Sequence, residues 1–380
     1  MTYFYIVFFF IAFIFSILIN GLFLRFSKTL GIRDKQETVI RWANTSKPAL
    51  GGISFFIVFL ISLASYSMFF EAREVLWNKK VLGLLCTATL AFMMGLADDA
   101  YNTKPFFKLF IQILCGVILC YSGIFIGIFS NMALNYITTI VWVVGIMNSF
   151  NMLDNMDAIS TIVSISIFSS ALMLLLIAGY ENNIHFMILL GTIASLSGFL
   201  IFNWHPAKLF MGDTGSQILG LLLAAIGIIY FWNDSTSLGD TVSISRQLII
   251  VAIAFVLPIA DTTIVVFNRL ANKQSPFIGG KDHTTHHLFY KGLTEKRIAI
   301  LFAAIGIASA YLIYYIETQI FTWTSNTFLL MSIFPIGVFG TLFAITRITK
   351  TSAKSRNTTA QSDSELSDIA PVKHVEKRLT

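Results

Sequence analysis

Long apolar runs separated by short polar stretches dominate this chain. Eleven of them are long enough to cross the ~30 Å hydrocarbon layer of a bilayer as helices. They lie near 3–24, 50–70, 81–97, 105–122, 129–147, 160–178, 186–203, 216–232, 247–267, 298–316 and 328–346. The first, YFYIVFFFIAFIFSILINGLFLRF, is apolar all round, which suits a helix surrounded by lipid or protein and not one with a wet face. It has no basic leader and no small-residue cleavage site, so it reads as a retained span. Between Pro105 and Met147 only Gly123, Asn131 and Asn135 offer a turn, and the count of eleven rests on that turn. The pattern predicts an all-α, polytopic integral membrane protein of about eleven transmembrane helices over residues 1–346. Residues 347–380 are rich in Ser and Thr and cannot bury a core, so a disordered tail is expected there.

Composition agrees with this reading. Of 380 residues 56% are hydrophobic and only 12% charged, against roughly 25% charged in soluble domains. That excludes a soluble globule, a disordered chain and a disulfide scaffold. Cys86, Cys115 and Cys120 all fall inside apolar runs without metal-ligand spacing. The net charge of +6 reports orientation in the membrane and implies no nucleic-acid partner. Eleven crossings put 22 of the 26 Lys and Arg on one face, with Arg73, Lys79, Lys80 and Arg246 on the other. By the positive-inside rule the rich face is cytoplasmic, as is the C-terminal tail, and a multi-pass protein of the inner (plasma) membrane is expected.

The acids then become informative. Four tight groups fall on the basic face: Asp98-Asp99, Asp154 with Asp157, Asp213 within GDTGS, and Asp282 within DHTTHH. Adjacent like charges at a membrane surface repel, and a cation or a perturbed pKa relieves them. Asp154 and Asp157 share a face if the fifth helix continues. The small residues beside Asp213 let backbone approach a phosphate. Oxygen ligands of this kind suit Mg²⁺. His283, His286 and His287 lie beside Gly279–Lys281, Lys291, Lys296 and Arg297, an N–H-rich and basic loop opposite the acids. Pro48, Gly51 and Gly52 open the second span, where small residues allow close approach of a neighbouring helix or a ligand. Asp261 is the one acid inside a span, and Pro258 before it is expected to break the helix; both chemistry and a structural hydrogen bond are open to it.

In order along the chain, SKPALGG, GLADDAYN, NSFNMLDNMD, FMGDTGS and a loop ending HHL resemble the motifs of the polyprenyl-phosphate N-acetylhexosamine-1-phosphate transferases, from about Leu30 to Arg297. The resemblance implies eleven spans and a cytoplasmic active site. It implies transfer of a sugar 1-phosphate from a UDP-N-acetylhexosamine to a polyprenyl (undecaprenyl) phosphate, with release of UMP and a requirement for Mg²⁺, or Mn²⁺ in its place. Carried over by position, Asp98 and Asp99 are the catalytic pair, Asp98 being the group that orients or deprotonates the lipid phosphate. Asn151 and Asp213 match the metal positions. Asp154 and Asp157 match the nucleotide-sugar loop, and Lys108, Asn102 and His283 the substrate contacts. His286 and His287 complete the phosphate site. A homodimer is allowed for.

The chain departs from the pattern in three places. It reads Asp154-Asn155 and Asp157-Ala158 where the family carries Asp-Gly. Asn102 replaces a third Asp. The histidines run His283-Thr-Thr-His286-His287 in place of His-x-His-His. Leu288 and Phe289 follow where the phospho-N-acetylmuramoyl-pentapeptide branch turns toward a Glu, so the branch that starts cell-surface glycans, with GlcNAc 1-phosphate as the unit moved, is preferred and the pentapeptide branch is the alternative. The competing class is a secondary transporter of an anionic solute, which should show repeats and midplane charges.

Overall fold

The computed structural model describes residues 2–29, 48–70, 73–180, 183–233, 243–275 and 280–368. Each apolar run is helical: α1 Thr2–Thr29, α2 Gly51–Phe69, α3 Lys79–Tyr101, α4 Pro105–Ser122, α5 Met132–Leu153, α6 Ile159–Ile177, α7 Ile184–Asn203 and α8 Gly212–Ile226. The last of these continues through a wider turn, Gly227–Trp232. After it come α9 Ile244–Ala254, α10 Val256–Ala271, the short α11 Thr284–Tyr290, α12 Glu295–Gln319 and α13 Ser325–Asp368. Among the described residues the only strand-like pairing is one parallel bridge between Ala49 and Phe210. The protein is an all-α polytopic membrane protein, with ten helices long enough to span and an eleventh, bent pair among the described residues.

The doubtful turn after α4 is real. Gly123 closes that helix with φ 89. The Asn131 side chain accepts from the Ala133 N–H, and Asn135 exchanges two hydrogen bonds with Phe129. Two asparagines therefore satisfy the backbone groups that the break leaves open. The ninth run departs from expectation. It is not one continuous span but α9 and α10, set at 80° to each other. Pro258 has no N–H for the Ala254 carbonyl, so the ladder fails there; α10 restarts with Pro258 in its first turn, where no intrahelical donor is needed. α13 is helical to Asp368, into the stretch expected to form a tail, while 369–380 lie outside the described residues. Composition denies that stretch a core, not a helix.

α8 is the central helix, with every residue from Thr214 to Ile226 buried, and α2, α3, α5 and α6 pack around it. The periphery is apolar too. α1 exposes Ile6, Val7, Phe10, Ile11, Ile14 and Leu18, an outer face that only lipid tolerates. Polar side chains inside the bundle tie helices together, as where Asn20 donates to Ser54 Oγ at 3.1 Å and Ser16 donates to the Ser195 carbonyl at 2.7 Å. The loops sort to two ends. At one, Asn233 bonds the Phe125–Gly127 turn and Arg246 pairs with Glu317. The other end gathers every acidic motif that the sequence singled out.

Candidate functional site

Four helix ends deliver the central cluster. Asp98 and Asp99 lie in the last turn of α3, Lys108 in the first turn of α4, Asn151 in the last turn of α5 and Asp213 in the first turn of α8. Lys108 Nζ pairs closely with Asp98 and stands 3.8 Å from Asp213 Oδ2. Asp98, almost wholly buried, also accepts from the Thr103 N–H (2.8 Å) and hydroxyl (2.7 Å). The Asn151 amide donates to Asp213 in a short bond and to Ser216 Oγ at 3.0 Å. Asn102 ends α3 in the left-handed conformation (φ 49), its N–H on the Asp98 carbonyl at 2.8 Å. Asn is a residue that tolerates this backbone.

The acidic pair divides its work. Both oxygens of Asp99 are committed to the start of α8: Oδ1 accepts from the Asp213 N–H (2.9 Å), Oδ2 from the Thr214 N–H (2.8 Å) and hydroxyl (2.6 Å). A carboxylate at a helix N-terminus satisfies orphan donors and complements the dipole. Pro48, Gly51 and Gly52 serve the same junction. The Pro48 carbonyl accepts from Phe210, and the Gly51 and Gly52 N–H groups donate to Phe210 and Met211. A Cβ on Gly52 would lie 2.1 Å from the Gly215 nitrogen. These three residues pack against the segment that carries Asp213.

The next loop holds the 154–157 acids. Asp154 accepts from Ser160 Oγ at 2.7 Å; burial, with the Asp99 and Asp157 carboxylates nearby, pushes its pKa up to about 6 despite that bond. Asp157 is turned away from Asp154. Its Oδ2 accepts from the Ala207 N–H at 2.9 Å and meets His205 Nδ1 at 2.9 Å, and His205 Nδ1 also lies 3.0 Å from Glu295. Asp157, His205 and Glu295 thus form a candidate divalent-cation site, a mixed nitrogen and oxygen set that does not select Mg²⁺. In the sequence His205 is marked only by the proline that follows it, and Glu295 only by its place as a first-turn acid after Thr294. Ala158 follows with φ 67, the left-handed region that a glycine would occupy without strain.

The histidine loop closes the cluster. Arg269 grips Asp282 with two bonds of 2.9 and 2.7 Å, and this pairing outweighs burial to hold the Asp282 carboxyl below its usual range. Asp261 is enclosed, accepting from His283 Nδ1 (2.8 Å) and from the Thr284 N–H (2.8 Å) and hydroxyl (2.6 Å). Thr285 donates to Asn155 Oδ1 at 2.6 Å, joining this loop to the one beside it. The His283 N–H donates to His286 Nδ1 at 3.3 Å, so the neutral His286 ring carries its proton on Nε2. Burial, with His283 adjacent, pushes the His286 pKa down to about 3. At neutral pH His286 therefore brings N–H donation to the loop and no positive charge. His287 is also buried, and Gly279 lies outside the described residues.

In the central cluster Asp98 and Asp213 set two carboxylates beside the single ammonium of Lys108, with the Asn151 amide on Asp213, while the Asp99 oxygens are taken up by α8. One helical turn deeper on α4, α5 and α8 lies an uncharged layer. The Asn148 amide donates to the Val144 carbonyl (2.8 Å) and Gln112 Oε1 (2.7 Å), and the Gln112 amide donates to Gln217 Oε1 (3.1 Å).

Comparison with known proteins supplies the family. A model described as glycosyl transferase family 4 matches residues 81–231, which contain three of the four acidic groups but not Asp282 and its histidine loop. The chain is 28% identical over 268 residues to the probable undecaprenyl-phosphate N-acetylglucosaminyl 1-phosphate transferase of Bacillus subtilis (strain 168), covering 68% of this chain and 70% of the relative. It is 34% identical over 249 residues to the phospho-N-acetylmuramoyl-pentapeptide-transferase of Streptococcus uberis, covering 57% and 72%. A third relative, the decaprenyl-phosphate N-acetylglucosaminephosphotransferase of Mycobacterium leprae, is 26% identical over 292 residues, covering 70% and 72%.

Proposed function

We infer the reaction from one premise: the chain belongs to glycosyl transferase family 4, as a polytopic membrane phosphotransferase. It transfers a phospho-N-acetylated sugar from a UDP-linked donor to a polyprenyl phosphate and releases UMP. The observation that carries this is the convergence of Asp98, Lys108, Asn151 and Asp213 from four separate helix ends. Diphosphate transfer asks for positioning and charge neutralisation more than for covalent help, and this arrangement offers both.

Asp98, held by Thr103 and Lys108, orients the acceptor phosphate and takes its proton. The Lys108 ammonium, between two carboxylates, faces the phosphoryl oxygens where charge builds. Asp99 holds α8 so that Asp213 keeps its place. Asp213 and Asn151 would bind Mg²⁺, and the chemistry such a cation supplies is charge withdrawal from the diphosphate, which eases departure of UMP. The histidine loop, joined to the 154–157 loop through Thr285 and Asn155, borders the phosphate site, and Asp154 and Asp157 frame the nucleotide side. The site end faces the cytoplasm, as the basic bias of its loops supports.

Two donors stand. The higher identity, 34%, is to a pentapeptide transferase and supports UDP-N-acetylmuramoyl-pentapeptide over the glycan branch preferred from Leu288 and Phe289. The longer match of 268 residues supports UDP-GlcNAc as the second reading. Membranes offered each donor with polyprenyl phosphate and Mg²⁺ are expected to release UMP from one of them; release from neither would overturn the reaction. Asp213→Ala is expected to lose more than about 100-fold in rate. Asp213→Asn should raise the Mg²⁺ concentration for half-activation while His205→Gln leaves it unchanged; the reverse would move the cation to the Asp157 cluster.

A further inference from the structure

Asp261 is an acid inside a span that the transfer chemistry leaves without a task, and an enclosed carboxylate inside a membrane protein is costly unless its partners repay it. Its partners are three donors and no acceptor: His283 Nδ1–H and the N–H and hydroxyl of Thr284. All three belong to the first residues of the histidine loop. Eight residues along the same helix, two turns on, Arg269 grips Asp282 with a two-pronged ion pair. α10 therefore presents an acid and a base in register with three consecutive residues, Asp282, His283 and Thr284. The 80° bend at Phe255 sets α10 at a steep angle to α9. From His283 the connection continues through its N–H to His286 Nδ1, and from Thr285 to Asn155 beside Asp154.

We propose that Asp261 is a positioning residue for the transfer reaction: from the bent ninth segment it fixes the ring of His283 and the first turn of α11, and thereby the direction in which His286 points at the edge of the phosphate site. The inference rests on the functional reading above. Its physical basis is that one acceptor-only group meets three donors, so the loop has a single hydrogen-bonded arrangement. An amide cannot keep this arrangement unchanged: with its oxygen on the two Thr284 donors its NH₂ meets His283 Nδ1, which accepts only by giving up its hydrogen to Nε2. The ionised carboxylate also holds His283 in the tautomer with hydrogen on Nδ1, leaving Nε2 directed elsewhere.

The test is kinetic, on the purified full-length protein, with thermal midpoints measured alongside. Asp261→Asn is expected to lower kcat for UMP release about 10- to 100-fold, the scale on which a displacement of ~1 Å acts, with KM for the UDP donor changed by less than about threefold. The double variant Asp261→Asn with His283→Gln should be no slower than the slower single variant, since the two residues act as one unit. Thr284→Ala, a milder change, should lower kcat about three- to tenfold with its fold intact, and it carries the test if Asp261→Asn does not fold. A kcat within about twofold of wild type in the folded variants, or effects that multiply in the double variant, would overturn the proposal. Mass-spectrometric mapping of imidazole acylation by diethyl pyrocarbonate supplies a second readout that needs no turnover. His286 should be acylated several-fold faster in Asp261→Asn, and an unchanged rate counts against the proposal. If the wild type releases no UMP from either donor, the functional reading fails, and this mapping alone decides whether Asp261 holds the loop.

Discussion

At the scale of single residues, two departures from the family pattern fall on left-handed backbone. Asn102 and Ala158 both sit at positive φ, 49 and 67, but only the first is a residue type suited to it. Ala158 is buried, and its N–H donates to Asn203 Oδ1 at 3.1 Å. Three effects of about 1 kcal/mol each compete in Ala158→Gly. Relief of left-handed strain is favourable, while a lost buried methyl and greater freedom of the unfolded chain oppose it. They nearly cancel, so the thermal midpoint in detergent should show a change within about 1 kcal/mol. Ala158→Val adds a β-branch at the same φ and should cost about 2 kcal/mol or more; equal midpoints for the two variants would refute the strained backbone. The spelling Asp-Ala hinted at this position only beside the family's Asp-Gly, because composition carries no record of φ.

At the scale of elements, helices were legible and their terminations less so. Periodicity and length located all eleven runs because a span must satisfy its backbone internally over the whole bilayer. The break at Phe255 was half legible. Pro258 marked the neighbourhood, but the direction of the bend depends on packing that hydropathy does not encode. The motif glycines show the same division. Gly51 and Gly52 stood out as small residues at a helix start, and only the structure shows that their task is to admit the start of α8. Gly52→Ala places a Cβ against backbone atoms of Gly215, which have no rotamer to escape into. Overpacking of this sort costs about 1–3 kcal/mol, and it shifts the turn that carries Asp213. The expected outcome is a lower thermal midpoint and at least a tenfold loss in UMP release, although Gly52 offers no side chain to any substrate. A variant with wild-type rate and midpoint would show that the helices part readily.

At the scale of the whole molecule, alternating loops put the acidic motifs at one end of the bundle, as the charge arithmetic required. Which side of the membrane that end faces is a matter of labelling. In a background with Cys86, Cys115 and Cys120 replaced, Lys208→Cys should react with a membrane-impermeant maleimide only in inverted vesicles, and Glu74→Cys only in right-side-out vesicles. The opposite pattern would reverse the orientation. What the sequence could not disclose was mutual distance: that Asp99 would cap α8, that Asp157 would face His205 and Glu295, or that Asp261 would hold the histidine loop. Each is a contact between segments far apart in the chain, set by packing and not by local pattern. The uncharged layer of Gln112, Asn148 and Gln217 has a consequence for permeation. Its Gln112 and Asn148 amides are held by each other, by Gln217 Oε1 and by the Val144 carbonyl, and below them α8 places Leu221 and Ala224, both fully enclosed. An ion attracted to the carboxylates therefore reaches a dead end after one helical turn and can leave only by the way it entered. The protein can concentrate charge at one surface of a bilayer without becoming a leak through it.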